Sequence, residues 1–136
     1  MVARDGFSLI ELAMAVVIIG ILAAISVPNY LAMQSRAKEA EVMALAHVVQ
    51  TAVEDHAAQT DGVYSQRPED IVPNLPYGRL QDNPWTGEFT EPRFGMVASA
   101  PGQVGFVVVM LGDVGIGYTI TGFGRTEEVI SYTTGR

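Results

Sequence analysis

Residues 6–28 read GFSLIELAMAVVIIGILAAISVP: Gly6-Phe7-Ser8-Leu9-Ile10-Glu11 leads into an apolar run that ends at Pro28. Residues 12–27 contain no charged side chain. The 21 residues 7–27, at about 1.5 Å rise per residue, make a helix of roughly 30 Å, enough to cross a bilayer core. One carboxylate, Glu11, stands near the start of this segment. Lipid disfavours a charge there, so Glu11 needs a role. Two ordinary explanations fit poorly. A secretory signal peptide would use Arg4 as its basic region, residues 13–25 as its apolar core and Ala24-Ile25-Ser26 as its cleavage site, but Asp5 and Glu11 make a poor basic region. A plain single-pass anchor accounts for the length and leaves Glu11 unexplained.

The rest of the chain differs in character. Of 136 residues, 49% are hydrophobic, and the excess is concentrated in the first 27. That pattern suits one membrane segment joined to one small soluble domain. The formal net charge is −7 and the cations are scattered, at Arg36, Lys38, Arg67, Arg79, Arg93, Arg125 and Arg136, so no basic stripe supports direct nucleic-acid binding. The chain has no Cys, which excludes thiolate metal sites, thiol nucleophiles and disulfides.

Residues 29–60 contain no Gly or Pro and follow a helical period. Leu31, Val42, Leu45, Ala46, Val49, Val53 and Ala57 fall on one face, which is expected to hold the chain's own sheet. Met33, Ala37, Ala40, Ala44 and Val48 form a second, small-residue face suited to close helix approach by neighbours. Arg36 and Glu39, and Lys38 and Glu41, are spaced for i, i+3 pairs in a charged belt. His47 and His56 are nine residues apart and share no metal-ligand spacing. Asp61-Gly62 stops the helix.

A Pro- and Gly-rich connection fills residues 61–91. Its apolar and aromatic residues, among them Tyr64, Ile71, Leu75, Tyr77, Leu80 and Trp85, are expected to pin it down. Exposed acids are the ordinary reading of Asp82, Glu88, Glu91 and Asp113, whose spacing matches no calcium loop. Residues 92–136 are β-rich. Runs at 104–111, 116–122 and 128–133, separated by Gly-containing turns, predict an antiparallel meander, with a fourth short strand near 93–97. The fold class is therefore α+β: a long N-terminal helix packed through its second half on a three- or four-stranded antiparallel sheet. No P-loop, nucleophile elbow or zinc-protease motif is present, no cofactor is indicated, and the expected answer to enzymatic activity is no.

The segment Gly6-Phe7-Ser8-Leu9-Ile10-Glu11 resembles the processing signal of type IV pilins and the related type II secretion pseudopilins, and the likeness runs on through IGILAAISVPNYLAMQSRAKEAE at 19–41. Asn83-Pro84-Trp85-Thr86-Gly87 resembles a turn of short bacterial type IV pilins, and the C-terminal strand pattern resembles their sheet. The family's leader is usually more basic than this one, in which Arg4 is the one cation and Asp5 adjoins Gly6. The resemblance implies a leader at 1–6, a transmembrane and filament-core helix at 7–28, an amphipathic helix at 29–60, a connecting loop at 61–91 and the sheet at 92–136. It implies cleavage between Gly6 and Phe7 by a prepilin peptidase, which also methylates Phe7, and pairing of the freed Phe7 amine with Glu11 of a neighbouring subunit. It implies loss of helicity between Gly20 and Pro28 on assembly. The implied partners are identical subunits, the inner membrane before assembly, and an assembly platform with its ATPase. The implied product is an extracellular pilus serving adhesion, surface motility or DNA uptake. A secretion pseudopilin, and a single-pass protein with a periplasmic binding domain, stay open as alternatives.

Overall fold

The computed structural model describes residues 6–135. Helix α1 runs Leu9–Gln59, 51 residues with Pro28 inside it. The chain divides into two compact units, one ending at Ser35 and one beginning at Arg36.

In the first unit every large apolar side chain from Phe7 through Met33 is at least 53% exposed. An 18-residue window of α1 has a mean hydropathy of 2.6, and among the described residues this is the one helix long and apolar enough to cross a membrane. Leu31, expected on the core-facing stripe, is exposed with the rest. It lies in the first unit, before the buried stripe begins at Val42.

In the second unit the stripe works as its period requires. Val42, Leu45, Ala46, Val49, Ala52, Val53 and Ala57 are buried, and each fully buried Val or Leu contributes about 1.5–3 kcal/mol. Of these, Leu45, Ala46, Val49, Ala52 and Val53 pack with Phe106, Tyr118 and Ile120 of the sheet and with Ile71, Leu75 and Leu80 of the connection. Of the second face, Met33, Ala37, Ala40 and Ala44 are exposed as expected, whereas Val48 is partly buried against the core. The connection is folded into short turns: α2 at Pro68–Ile71, then 3-10 turns at Val72–Asn74 and Pro76–Gly78. Ile71, Leu75 and Leu80 pin it as expected, but Tyr77 does not, since its side chain is fully exposed.

The sheet has four strands in the order β1 (Arg93–Phe94), β2 (Val104–Leu111), β3 (Val114–Phe123) and β4 (Glu128–Gly135). The three long strands form the expected antiparallel meander. Gly112 at φ 65 starts the two-residue turn between β2 and β3, as a type II′ hairpin requires. β1, however, runs parallel to β2, so the sheet is mixed. The reason lies in residues 95–103, which swing out and return in the original direction. They pass so close to the face of β2 that a Cβ on Gly105 would collide with the backbone of Met96, Val97 and Ala98. The Ala98 N–H then donates to buried Thr121 Oγ1 at 2.8 Å, tying the crossing loop to β3. Beyond β1, the Val108 N–H on the edge of β2 donates to Gln66 Oε1 at 3.2 Å, which covers one exposed edge group.

Helix and sheet are also joined by polar contacts. Tyr118 donates from its hydroxyl to Glu54 Oε1 at 2.7 Å and accepts from Gln50 Nε2 at 3.2 Å. Tyr64 donates to the other oxygen of Glu54 at 3.4 Å and sets its ring edge-on to Tyr118, centroids 5.1 Å apart. Burial, and then the hydrogen bond to Glu54, push the Tyr118 phenol up to about 12 from 10.0. A phenol whose pKa is raised by folding contributes stability that is complete below pH 10 and lost as pH climbs through 12. Equilibrium unfolding of the detergent-held subunit should therefore show stability falling between pH 10 and 12. Tyr118→Phe should cost about 1 kcal/mol at neutral pH and flatten that alkaline fall. An equally steep fall in the variant would show that Tyr118 is not its source.

Candidate functional site

The site singled out by sequence is the N-terminal turn of α1. Residues 6–8 have no regular structure, and Gly6 and Phe7 are both exposed. The peptide bond between them thus lies in an accessible segment just before the helix. Residues 1–5 of the expected leader lie outside the described residues. Glu11 occupies the third helical position, where its carboxylate meets the positive end of the helix dipole. It is not idle there. The Ser8 N–H donates to Glu11 Oε2 at 2.9 Å, and the Ile10 N–H donates to Ser8 Oγ at 3.2 Å. Two N–H groups that the helix leaves without carbonyl partners are satisfied by this reciprocal arrangement, a capping box.

Ser8 is the residue that sequence reasoning overlooked. The signal was present as a serine three residues before a glutamate at the head of an apolar run, Ser8-Leu9-Ile10-Glu11.

Gly20 and Pro28 both sit inside the continuous helix. Nothing lies within 4 Å of where a Cβ on Gly20 would stand. Pro28 has no N–H to donate to the preceding turn, so the helix is one hydrogen bond short there. The residues between them, Ile21, Leu22, Ile25 and Val27, are exposed. The structure thus places Phe7 just ahead of the helix whose first turn holds Glu11, and Gly20 and Pro28 within that helix at exposed positions.

The Asn83-Pro84-Trp85-Thr86-Gly87 turn is built around a buried amide. Asn83, 4% exposed, accepts at Oδ1 from the N–H groups of Trp85 and Thr86 at 2.8 and 3.3 Å and donates through Nδ2 to the Pro101 carbonyl at 2.8 Å. Gly102 must be glycine because a Cβ would strike the Asn83 amide. Trp85 is half-buried, and the Lys38 ammonium lies 5.9 Å from its ring centroid, so the turn also meets α1. Among the described residues no three His or acidic side chains gather as a metal site.

With this geometry in place, comparison with known proteins identifies the class. Residues 1–27 match the prokaryotic N-terminal methylation motif. Over 95 residues the chain is 35% identical to the type IV narrow pilus major component PilA5 of Thermus thermophilus, covering 70% of this chain and 80% of that one. Over 56 residues it is 43% identical to the type IV major pilin protein PilA of Myxococcus xanthus, covering 41% of this chain and 26% of the longer relative. No solved structure matches. The chain belongs to the type IV pilin family, the structural subunits of pili.

The buried amide gives a direct test of the turn. Asn83→Ala removes three hydrogen bonds from a buried site and should lower unfolding stability by about 1–3 kcal/mol, with a red shift of the emission of Trp85, the protein's single tryptophan. Unchanged stability and emission would mean that the turn is held by something other than Asn83.

Proposed function

We propose that this chain is a major-type subunit of a type IV pilus, made as a precursor and cut between Gly6 and Phe7. The observation that carries the reading is the identity with a pilus major component over four-fifths of that relative's length. A prepilin peptidase removes residues 1–6 and methylates the new amino terminus at Phe7. Residues 7–28 hold the subunit in the inner membrane, with residues 29–60, the connection 61–91 and the sheet 92–136 in the periplasm. The assembly platform and its ATPase then move the subunit into a helical homopolymer outside the cell, where the filament serves adhesion, surface motility or DNA uptake.

The chemistry of the first turn supports this sequence of events. Cleavage frees an amine at Phe7, four residues before Glu11; if the helix extends back to Phe7 on assembly, the two share one face. In the membrane Glu11 lies near the headgroups. In a filament core without water an unpaired carboxylate costs several kcal/mol, and a neighbour's amine offsets that cost. The Ser8 N–H already orients the Glu11 carboxylate at this end of the helix. Gly20 and the missing hydrogen bond at Pro28 make the intervening helix the part that can unwind when subunits pack.

Mass spectrometry of filaments sheared from cells should find an amino terminus at Phe7 carrying a methyl group; an intact Met1 would sink the processing scheme. Glu11→Ala should leave processing and membrane insertion intact while reducing sheared filaments at least tenfold. Normal filament yield from that variant would remove Glu11 from assembly.

A further inference from the structure

Two exposed features of the second unit have no role in its own fold. The first is Tyr77. Its backbone takes φ 60 and ψ 18, a left-handed conformation that costs a residue with a side chain on the order of 1 kcal/mol. Its side chain is as exposed as in a free peptide, at 102%. The backbone turn closes through the Gly78 N–H to the Leu75 carbonyl and the Arg79 N–H to the Pro76 carbonyl, but the aromatic ring it holds in water gains nothing from the folded monomer. Beside it, Arg79 stacks on the half-exposed ring of Phe89, 5.4 Å from its centroid. The contact of Arg79 with Asp82 is long, 3.5 Å, and solvent-exposed, so it binds the guanidinium weakly.

The second feature is a groove of about 750 Å³ between the end of α1 and the β2–β3 hairpin, lined by Val63, Leu111, Val114 and Ile116 and by Asp61. Leu111 is 69% exposed. Asp113 lies in the hairpin turn between Leu111 and Val114. The groove thus pairs an apolar wall with one carboxylate, Asp61, while Asp113 faces a neighbouring depression; the protruding ring of Tyr77 has a cation two residues away.

Subunits of a helical polymer meet through two different surfaces that fit each other, because each copy presents one to the copy above and the other to the copy below. A net charge of −7 per chain sets like-charged subunits against each other, so contacts outside the helical core need apolar burial and locally opposed charges. We propose that Tyr77 of one subunit seats in the groove of the next, its ring against Leu111 and Val114, with Arg79 facing Asp61. The Tyr77 loop meets α1 at Leu45 and Val48, whereas the groove meets it at Ala58. At about 1.5 Å per residue, the two copies are offset by about 15–20 Å along parallel helices. The contact rests on the pilus reading above, and it adds a specific lock between the outer domains.

The absence of native cysteine makes the contact testable by cross-linking. Filaments of the Tyr77→Cys/Leu111→Cys chain should, on oxidation, run as covalent ladders in denaturing gels, and each single variant should run as monomer. Filaments of the double variant without ladders overturn this contact and leave the pilus reading standing, as do ladders from Tyr77→Cys alone, which would pair the loop with itself. Cells of the unaltered protein without filaments overturn both. Tyr77→Gly supplies an independent measure, since it removes the ring and relieves the left-handed strain. It should leave the thermal midpoint of the detergent-held subunit unchanged or higher while cutting sheared filament yield severalfold. Full yield from that variant overturns the contact even where the double variant fails to assemble.

Discussion

Thirteen large apolar side chains between Phe7 and Val27 have no cover in the folded chain. Moving them out of water is worth on the order of 20 kcal/mol, more than the roughly 5–15 kcal/mol that typically separates folded from unfolded protein. This surface therefore governs how the molecule exists. It has to be met by lipid or by other copies of the same helix, and a type IV pilin encounters both in turn. The second unit is organised by the same helix, whose buried stripe from Val42 to Ala57 is the floor on which the sheet and the connection pack.

A charge at the head of such a segment must be held in place whatever surrounds it. The capping box meets that need before assembly, since Glu11 answers a helix N–H and Ser8 answers another. The carboxylate thus has a local partner at the head of the helix.

The second unit spends its polar groups differently. Asn83 closes a turn onto Pro101, and Glu54 bridges two tyrosines from other elements. Each buried amide or phenol fixes one orientation of a loop or helix against the sheet, a specificity that apolar packing alone supplies poorly. Tyr77 is the exception. Its place among the apolar residues of the connection predicts a pinning role, yet three aliphatic neighbours do that work and the tyrosine is turned out to solvent.

What the sequence by itself determined was whatever has a local period. The apolar run, the stripe along residues 42–57, the three long strands and their Gly turns all follow from spacings of two to four residues, and so did the family resemblance at Gly6–Glu11. Even the capping box was legible in Ser8 and Glu11, had that spacing been weighed. The tertiary structure alone decided the parallel pairing of β1, the crossing of residues 96–98 over Gly105, the outward turn of Tyr77, and the clasp of Gln50 and Glu54 on Tyr118. These depend on groups that are distant in the chain, as with Gln50 and Tyr118, 68 positions apart. A residue's own neighbours carry no record of the backbone that will later pass across it, or of whether the core will have room for its ring.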